Sequence, residues 1–226
     1  MTGTLALVGG AEWTEGCGFD SGLLAASGGS TVTVLPTAAA YENPERVMGR
    51  AASWFAPLGA TAEMLPVTTR AHALDPELAA RAAAARFLYL ASGSPMHLRS
   101  VLKDTPLLGA LVSAWRSGGV VAAAAESATV LCTHMVDSRG GAFTVGLGLI
   151  DSLTVLPRAD TWSEDKWHRT ARLAPPDLAV VGIDERTALI SGPDGWRAEG
   201  AGGVSAWREG HRIDLDGLAR LAIEPI

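Results

Sequence analysis

The sequence predicts a three-layer α/β sandwich around a mainly parallel, doubly wound sheet, with a small antiparallel C-terminal extension. Three observations lead to it. Short apolar runs are continuous rather than alternating, as strands covered on both faces require. The stretches between them open on explicit helix-start signals. Beyond about residue 140 the texture changes, and strand-like runs separated by glycines take over.

The strands are TLALVG (4–9), TVTVLP (31–36), AEMLPV (62–67), RFLYLA (86–91) and VVAAAA (120–125), all expected at the centre of the sheet. Helices begin near Asn43, Asp75, Ser94 and Thr105. Each of these side chains can accept a hydrogen bond from a free first-turn N–H. Each is followed by a proline, whose fixed φ suits the first helical position. After Asn43, the residues Val47, Ala51, Phe55 and Leu58 recur at intervals of four, four and three, which draws one apolar stripe. Later, AFTVGLGLI, LAVVGID, TALISG and WRAEGAGGVSAWREG read as strands, punctuated by the turn signal GPDG. No linker interrupts the chain, so residues 1–226 are expected to form one domain.

Composition removes several classes of function. A hydrophobic share of 48% against 19% charged residues excludes a disordered chain. The net charge is −6, and only two lysines, Lys103 and Lys166, accompany scattered arginines, so no basic footprint for nucleic acid is present. Two cysteines make neither a disulfide framework nor a zinc site, and the five histidines do not pair at metal-ligand spacing. No metal is expected, and a reduced, cytoplasmic setting is. Glu126 interrupts the best apolar run short of the ~18 residues that span a bilayer, and MTGTLALVGG lacks the basic and apolar regions of a signal peptide. The turn GGAEW after the first strand lacks the spacing of a dinucleotide fingerprint, so no cofactor is expected.

The candidate chemistry sits at two strand-to-helix junctions. Ser127 follows the buried run 120–125 and precedes ATVLCTHM, a helix-compatible stretch. Strand, nucleophile, helix is the order of a nucleophile elbow, whose tight turn exposes a hydroxyl and aims backbone N–H groups at a developing oxyanion. The plainer alternative is that Ser127 caps the following helix. In LASGSP (90–95), Ser94 reads as a cap and Gly93 as a backbone donor. Cys132 reads as a small core residue. His168, in SEDKWHRTARL, stands on a solvated helix.

Taken together, LALVGGAEW, TVTVLPTAAA, LGATAEMLPV, ARFLYLASGSPMHLRSVLKDTPL, GGVVAAAAESATV, GLGLID and VVGIDERTALI give the chain its family likeness. It resembles the cyanophycinase and aspartyl dipeptidase (dipeptidase E) family of serine peptidases, which has the class I glutamine amidotransferase-like fold, a flavodoxin-like sheet. GGVVAAAAESATV falls where that family has Gly-Thr-Ser-Ala-Gly-Ala. The resemblance implies a serine-type peptidase or amide hydrolase acting on a small peptide or amide. Ser127 would be the nucleophile, Gly93 and Ala128 would supply oxyanion-hole amides, and the acid would be Asp184 or Glu185. Glu126 and Ser94 would line the pocket. Relatives suggest a homodimer.

The departures fall at the chemistry. The family's base histidine follows GLGL, before an Arg-x-x-Arg-Leu stretch; counting from either anchor reaches Pro157 or Ser163. A serine without a base is a weak nucleophile. One reading is an active hydrolase in which His168 serves as base, oriented by Asp184 or Glu185. The persistence of the serine favours it slightly. The alternative is a catalytically degenerate homologue that binds a small molecule or protein partner. An amidase using Cys132 is disfavoured, because the resemblance puts Ser127 at the elbow.

Overall fold

The computed structural model describes residues 3–137, 141–192 and 195–218. In chain order its elements are β1 (Thr4–Val8), α1 (Phe19–Ser27), β2 (Thr31–Leu35), α2 (Pro44–Phe55), β3 (Thr61–Met64), α3 (Arg70–Ala73), α4 (Pro76–Ala84), β4 (Phe87–Leu90), α5 (Pro95–Leu102), α6 (Pro106–Arg116) and β5 (Val120–Ala124). There follow α7 (Glu126–Leu131), β6 (His134–Val136), β7 (Phe143–Val145), β8 (Leu153–Pro157), α8 (Glu164–Leu173), β9 (Ala179–Ile183), β10 (Thr187–Gly192), β11 (Gly195–Gly200), β12 (Val204–Arg208) and β13 (His211–Ile213). The four expected helix starts are where the caps put them. The side chains of Asn43, Asp75, Ser94 and Thr105 each accept a first-turn N–H.

The main sheet has the order β11-β10-β1-β5-β4-β2-β3. Strands β1 to β5 pair in parallel, and β10 and β11 close one side antiparallel. Period-two alternation divides its side chains between two cores. Leu5, Leu7, Leu88, Leu90, Val121 and Ala123 face α4, α5 and α6. Ala6, Val8, Val32, Val34, Tyr89 and Ala122 face α1 and α2, which contribute Phe19, Leu23, Val47, Ala51 and Phe55. Helices therefore cover both faces, and the three layers follow from continuous apolar strands as the sequence implied.

Three expectations need correction. β3 is an edge strand, with exposed and half-buried residues in alternation, because only β2 pairs with it. Leu58 leaves the α2 stripe: the helix ends at Phe55 and Leu58 is exposed. The antiparallel C-terminal strands are divided between two sheets. β10 and β11 join the main sheet, whereas β13-β12-β9-β8 make a second sheet in which β8 and β9 run parallel. β8 was not foreseen. The predicted GPDG turn includes Pro193 and Asp194, which lie outside the described residues. No described helix is long and apolar enough to cross a membrane.

One buried acid has a consequence for stability. Asp20 is fully buried in α1, where its Oδ2 accepts from Trp54 Nε1 at 2.9 Å. Burial pushes its carboxyl up to about 8, with the Trp54 bond working in the opposite direction. In the unfolded chain it returns to the ordinary 3.8. Between those values the native protein holds a proton that the unfolded chain has released, so stability falls as pH rises through the window and levels off above it. Asp20→Asn keeps the acceptor without the ionisation. We expect urea midpoints at pH 5 and pH 8.5 to show wild type losing stability relative to this variant as pH rises; parallel pH profiles would contradict it.

Candidate active-site cleft

The carboxyl ends of β4 and β5 open into a cleft of about 470 Å³. Open α/β sheets bind ligands at this edge. Ser92, Gly93, Ser94, Pro95 and Met96 form one wall, Met135, Val136, Asp137 and Thr144 another, and Glu42, Glu126 and Arg158 complete it. Among the described lining residues there is neither histidine nor cysteine.

The sharp turn lies at Ala125. It has φ 49° and ψ −120°, between the end of β5 and the first turn of α7. A non-glycine residue there costs on the order of 1–3 kcal/mol, and such strain gathers at functional turns. The turn is held by the Ala125 N–H, which donates to the Val8 carbonyl at 2.7 Å. Ser127 is therefore one residue into the helix, and the positive φ is Ala125's, not its own. Its hydroxyl is fully buried and donates to the Ala91 carbonyl at 2.6 Å. That bond ties α7 to the end of β4, and Ser127 does not line the cleft.

The other expected partners are dispersed. The Ala128 N–H donates to the Ala125 carbonyl at 3.0 Å, so it serves the helix rather than an oxyanion. Gly93 does line the cleft, and its backbone has φ 149°. Ser94 lines it as well while capping α5. His168 is exposed on α8, and its Nε2 stands 3.4 Å from Glu164 Oε1, one turn back along the same helix. α8 begins at Glu164 with its polar face in solvent, and among the described contacts His168 meets Glu164 and not Ser127. Asp184 accepts from the Gly203 N–H at 2.8 Å, and the Glu185 N–H donates to Asp160 at 3.0 Å. The Asp184 carboxylate and the Glu185 backbone hold turns beyond β9, and neither acid has an imidazole partner among the described residues. Cys132 is fully buried, and burial pushes its thiol up to about 12. It lies beyond the end of α7, and His134 lies in β6, so the two do not share the helix assumed for them.

Sequence reasoning missed two residues. Ala125 was hidden in a run of alanines. Arg158 follows β8 in a left-handed conformation, φ 51° and ψ 46°. Its N–H donates to the Gly9 carbonyl, and its side chain crosses Gly10, where a Cβ would stand 2.9 Å from Arg158 Cγ. The glycine turn after β1 thus makes room for this side chain. The guanidinium then pairs with Glu126, whose carboxylate is buried beside the Ala125 turn. A second carboxylate, Glu12, 2% exposed, accepts from the Ser92 hydroxyl at 2.6 Å and from its N–H at 3.3 Å, which fixes the opposite wall.

Fold and cleft together define an α/β protein with a strained strand-to-helix turn at the carboxyl edge of its sheet. A sequence model of Peptidase family S51 matches residues 17–196, and the chain belongs to that family. It is 28% identical over 176 residues to a cyanophycinase of Trichormus variabilis, covering 73% of this chain and 58% of that one. A cyanophycinase of Synechococcus elongatus is 30% identical over 156 residues, covering 63% of this chain and 48% of its own. The chain thus spans about half the length of these curated relatives. The crystal structure of a peptidase from an acI-B1 Actinobacterium superposes with a TM-score of 0.80 at 29% identity, covering 94% of this chain and 97% of the other. A putative peptidase E protein from Listeria monocytogenes EGD-e shares the fold, with a TM-score of 0.69 at 15% identity and coverage of 89% and 100%.

The family motif Gly-Thr-Ser-Ala-Gly-Ala can now be set in register with the backbone. If its last alanine is Ala128, its serine falls on Ala125, where the strained turn is. Arg158 is adjacent to Pro157, one of the two positions that counting gave for the missing base.

Proposed function

We infer that this S51 member binds a small peptide or amide in the cleft and does not carry out acyl transfer through Ser127. One observation carries the reading. A strained turn joins β5 to α7, where the family likeness puts its nucleophile, and the residue on that turn is Ala125, which has no atom to attack a carbonyl. Burial of the Ser127 hydroxyl and exposure of His168 support it. A triad member's loss typically costs several orders of magnitude in rate; here nucleophile and base are both replaced. The cleft is suited to recognition instead. Arg158 offers donors and Glu126 offers acceptors side by side, which complements the C=O and N–H of an amide. Two free, buried cysteines fit the reducing cytoplasm in which we place the protein.

The names of the relatives favour a retained peptidase, and the two readings separate in one assay. Dipeptides, amino-acid anilides and simple esters should turn over at background rates with wild type and with Ser127→Ala alike. In the same variant we expect a loss of about 1 kcal/mol of stability from the missing buried hydrogen bond. Turnover well above background in wild type, falling a hundredfold or more in Ser127→Ala, would overturn the reading.

A further inference from the structure

Away from the cleft, and sharing none of its lining residues, a groove of about 570 Å³ runs between α2 and the turn after β1. It is lined by Trp13, Arg46, Gly49, Arg50, Ser53 and Trp54. Five of these lie on α2, and Arg46, Gly49, Arg50, Ser53 and Trp54 recur at spacings of three and four, which places them along one face of the helix. Gly49 leaves its floor open: a Cβ built there meets nothing within 4 Å.

The walls are held in place. The Arg50 guanidinium stands 5.7 Å from the centroid of the Trp13 ring. Its Nη2 donates to the Glu12 carbonyl at 2.9 Å and lies 3.9 Å from the Glu12 carboxylate. The Trp54 indole is fixed by its bond to Asp20, the buried acid of α1. Burying that carboxyl is costly, and what it secures is the orientation of one half-buried ring at the groove's edge. Arg46 is different. Its exposed side chain makes no hydrogen bond or ion pair among the described residues. The groove therefore presents one committed guanidinium, one available guanidinium, a fixed aromatic edge and a hydroxyl.

The geometry points to a binding site for a small planar organic anion, an aromatic carboxylate or phosphate ester. Its charged end would sit between Arg46 and Arg50, and its ring against Trp54. Arginine recognises such oxyanions in paired, planar geometry, and aromatic surface adds affinity for the ring.

Isothermal titration of the full chain with three probes tests this. Phenyl phosphate carries both features, inorganic phosphate only the charge, and benzyl alcohol only the ring. Phenyl phosphate should bind at least tenfold more tightly than either of the others. Arg46→Gln, which disturbs no described contact, should weaken it about tenfold. Gly49→Leu, which fills the floor on a helix that tolerates leucine, should abolish it while the melting temperature holds. Phenyl phosphate binding no tighter than inorganic phosphate would overturn the proposal. So would binding that survives both substitutions unchanged.

Discussion

Gly93→Ala should destabilise the protein by about 3 kcal/mol or more, through a combination of strain and collision. At φ 149° the backbone is in a region that side chains rarely tolerate, and the added Cβ would stand 2.4 Å from the Ala38 oxygen and 2.5 Å from its carbonyl carbon. These are main-chain atoms, so no rotamer change relieves the contact. The Ser94 N–H to Ala38 carbonyl bond, 2.8 Å, anchors the same loop and would have to yield. For a chain of this size about 1 kcal/mol corresponds to roughly 2–4 °C, so the melting temperature should drop by about 6–12 °C. Gly109→Ala is the matched control. It sits in α6 with nothing within 4 Å of a new Cβ, and it should be neutral or stabilising by up to ~1 kcal/mol. Similar melting temperatures for the two variants would contradict the packing described for the Ser92–Ser94 wall.

Breaking the ion pair at the elbow should have the next largest effect. Glu126 has a side chain only 9% exposed, and Arg158 is its partner, 38% exposed. Removing one partner of a buried pair costs several kcal/mol, because the other is left charged and unpaired in low dielectric. The partial exposure of Arg158 moderates this, and we expect Arg158→Met to cost about 2–3 kcal/mol. Glu126→Gln should cost less, since the amide oxygen still accepts. In the double variant neither charge is present, so its loss should fall short of the sum of the two single losses by about 1 kcal/mol or more. Urea midpoints for the four proteins measure this coupling. Strict additivity would mean that the two side chains do not depend on each other.

The fold was legible because its signals are local and repeated. Proline after a capping side chain marked four helices, and each cap is made as written. The edge position of β3 was not legible, since AEMLPV differs little from the central runs and only pairing decides which strand has one neighbour. β8 was not legible, since LTVLP stands between GLGL and RTARL, where the family likeness points to a base rather than a strand. At the site, the alanines from Ala122 to Ala125 have no periodicity that could fix where the strand turns. Ser127 was the first hydroxyl beyond them and took the role by its chemistry. The backbone makes the turn two residues earlier. Arg158 was beyond sequence reasoning of this kind: it meets Glu126 across 32 residues, through a left-handed turn at the end of an unforeseen strand.

The central claim is that the serine after the elbow is a structural residue of α7, and mapping a fluorophosphonate adduct tests it most directly. Such probes react with hydroxyl nucleophiles activated by a base. Wild-type protein, treated while folded and then digested for mass spectrometry, should carry no adduct on Ser127. A stoichiometric adduct on Ser127 in folded wild-type protein, absent from Ser127→Ala, would contradict the account.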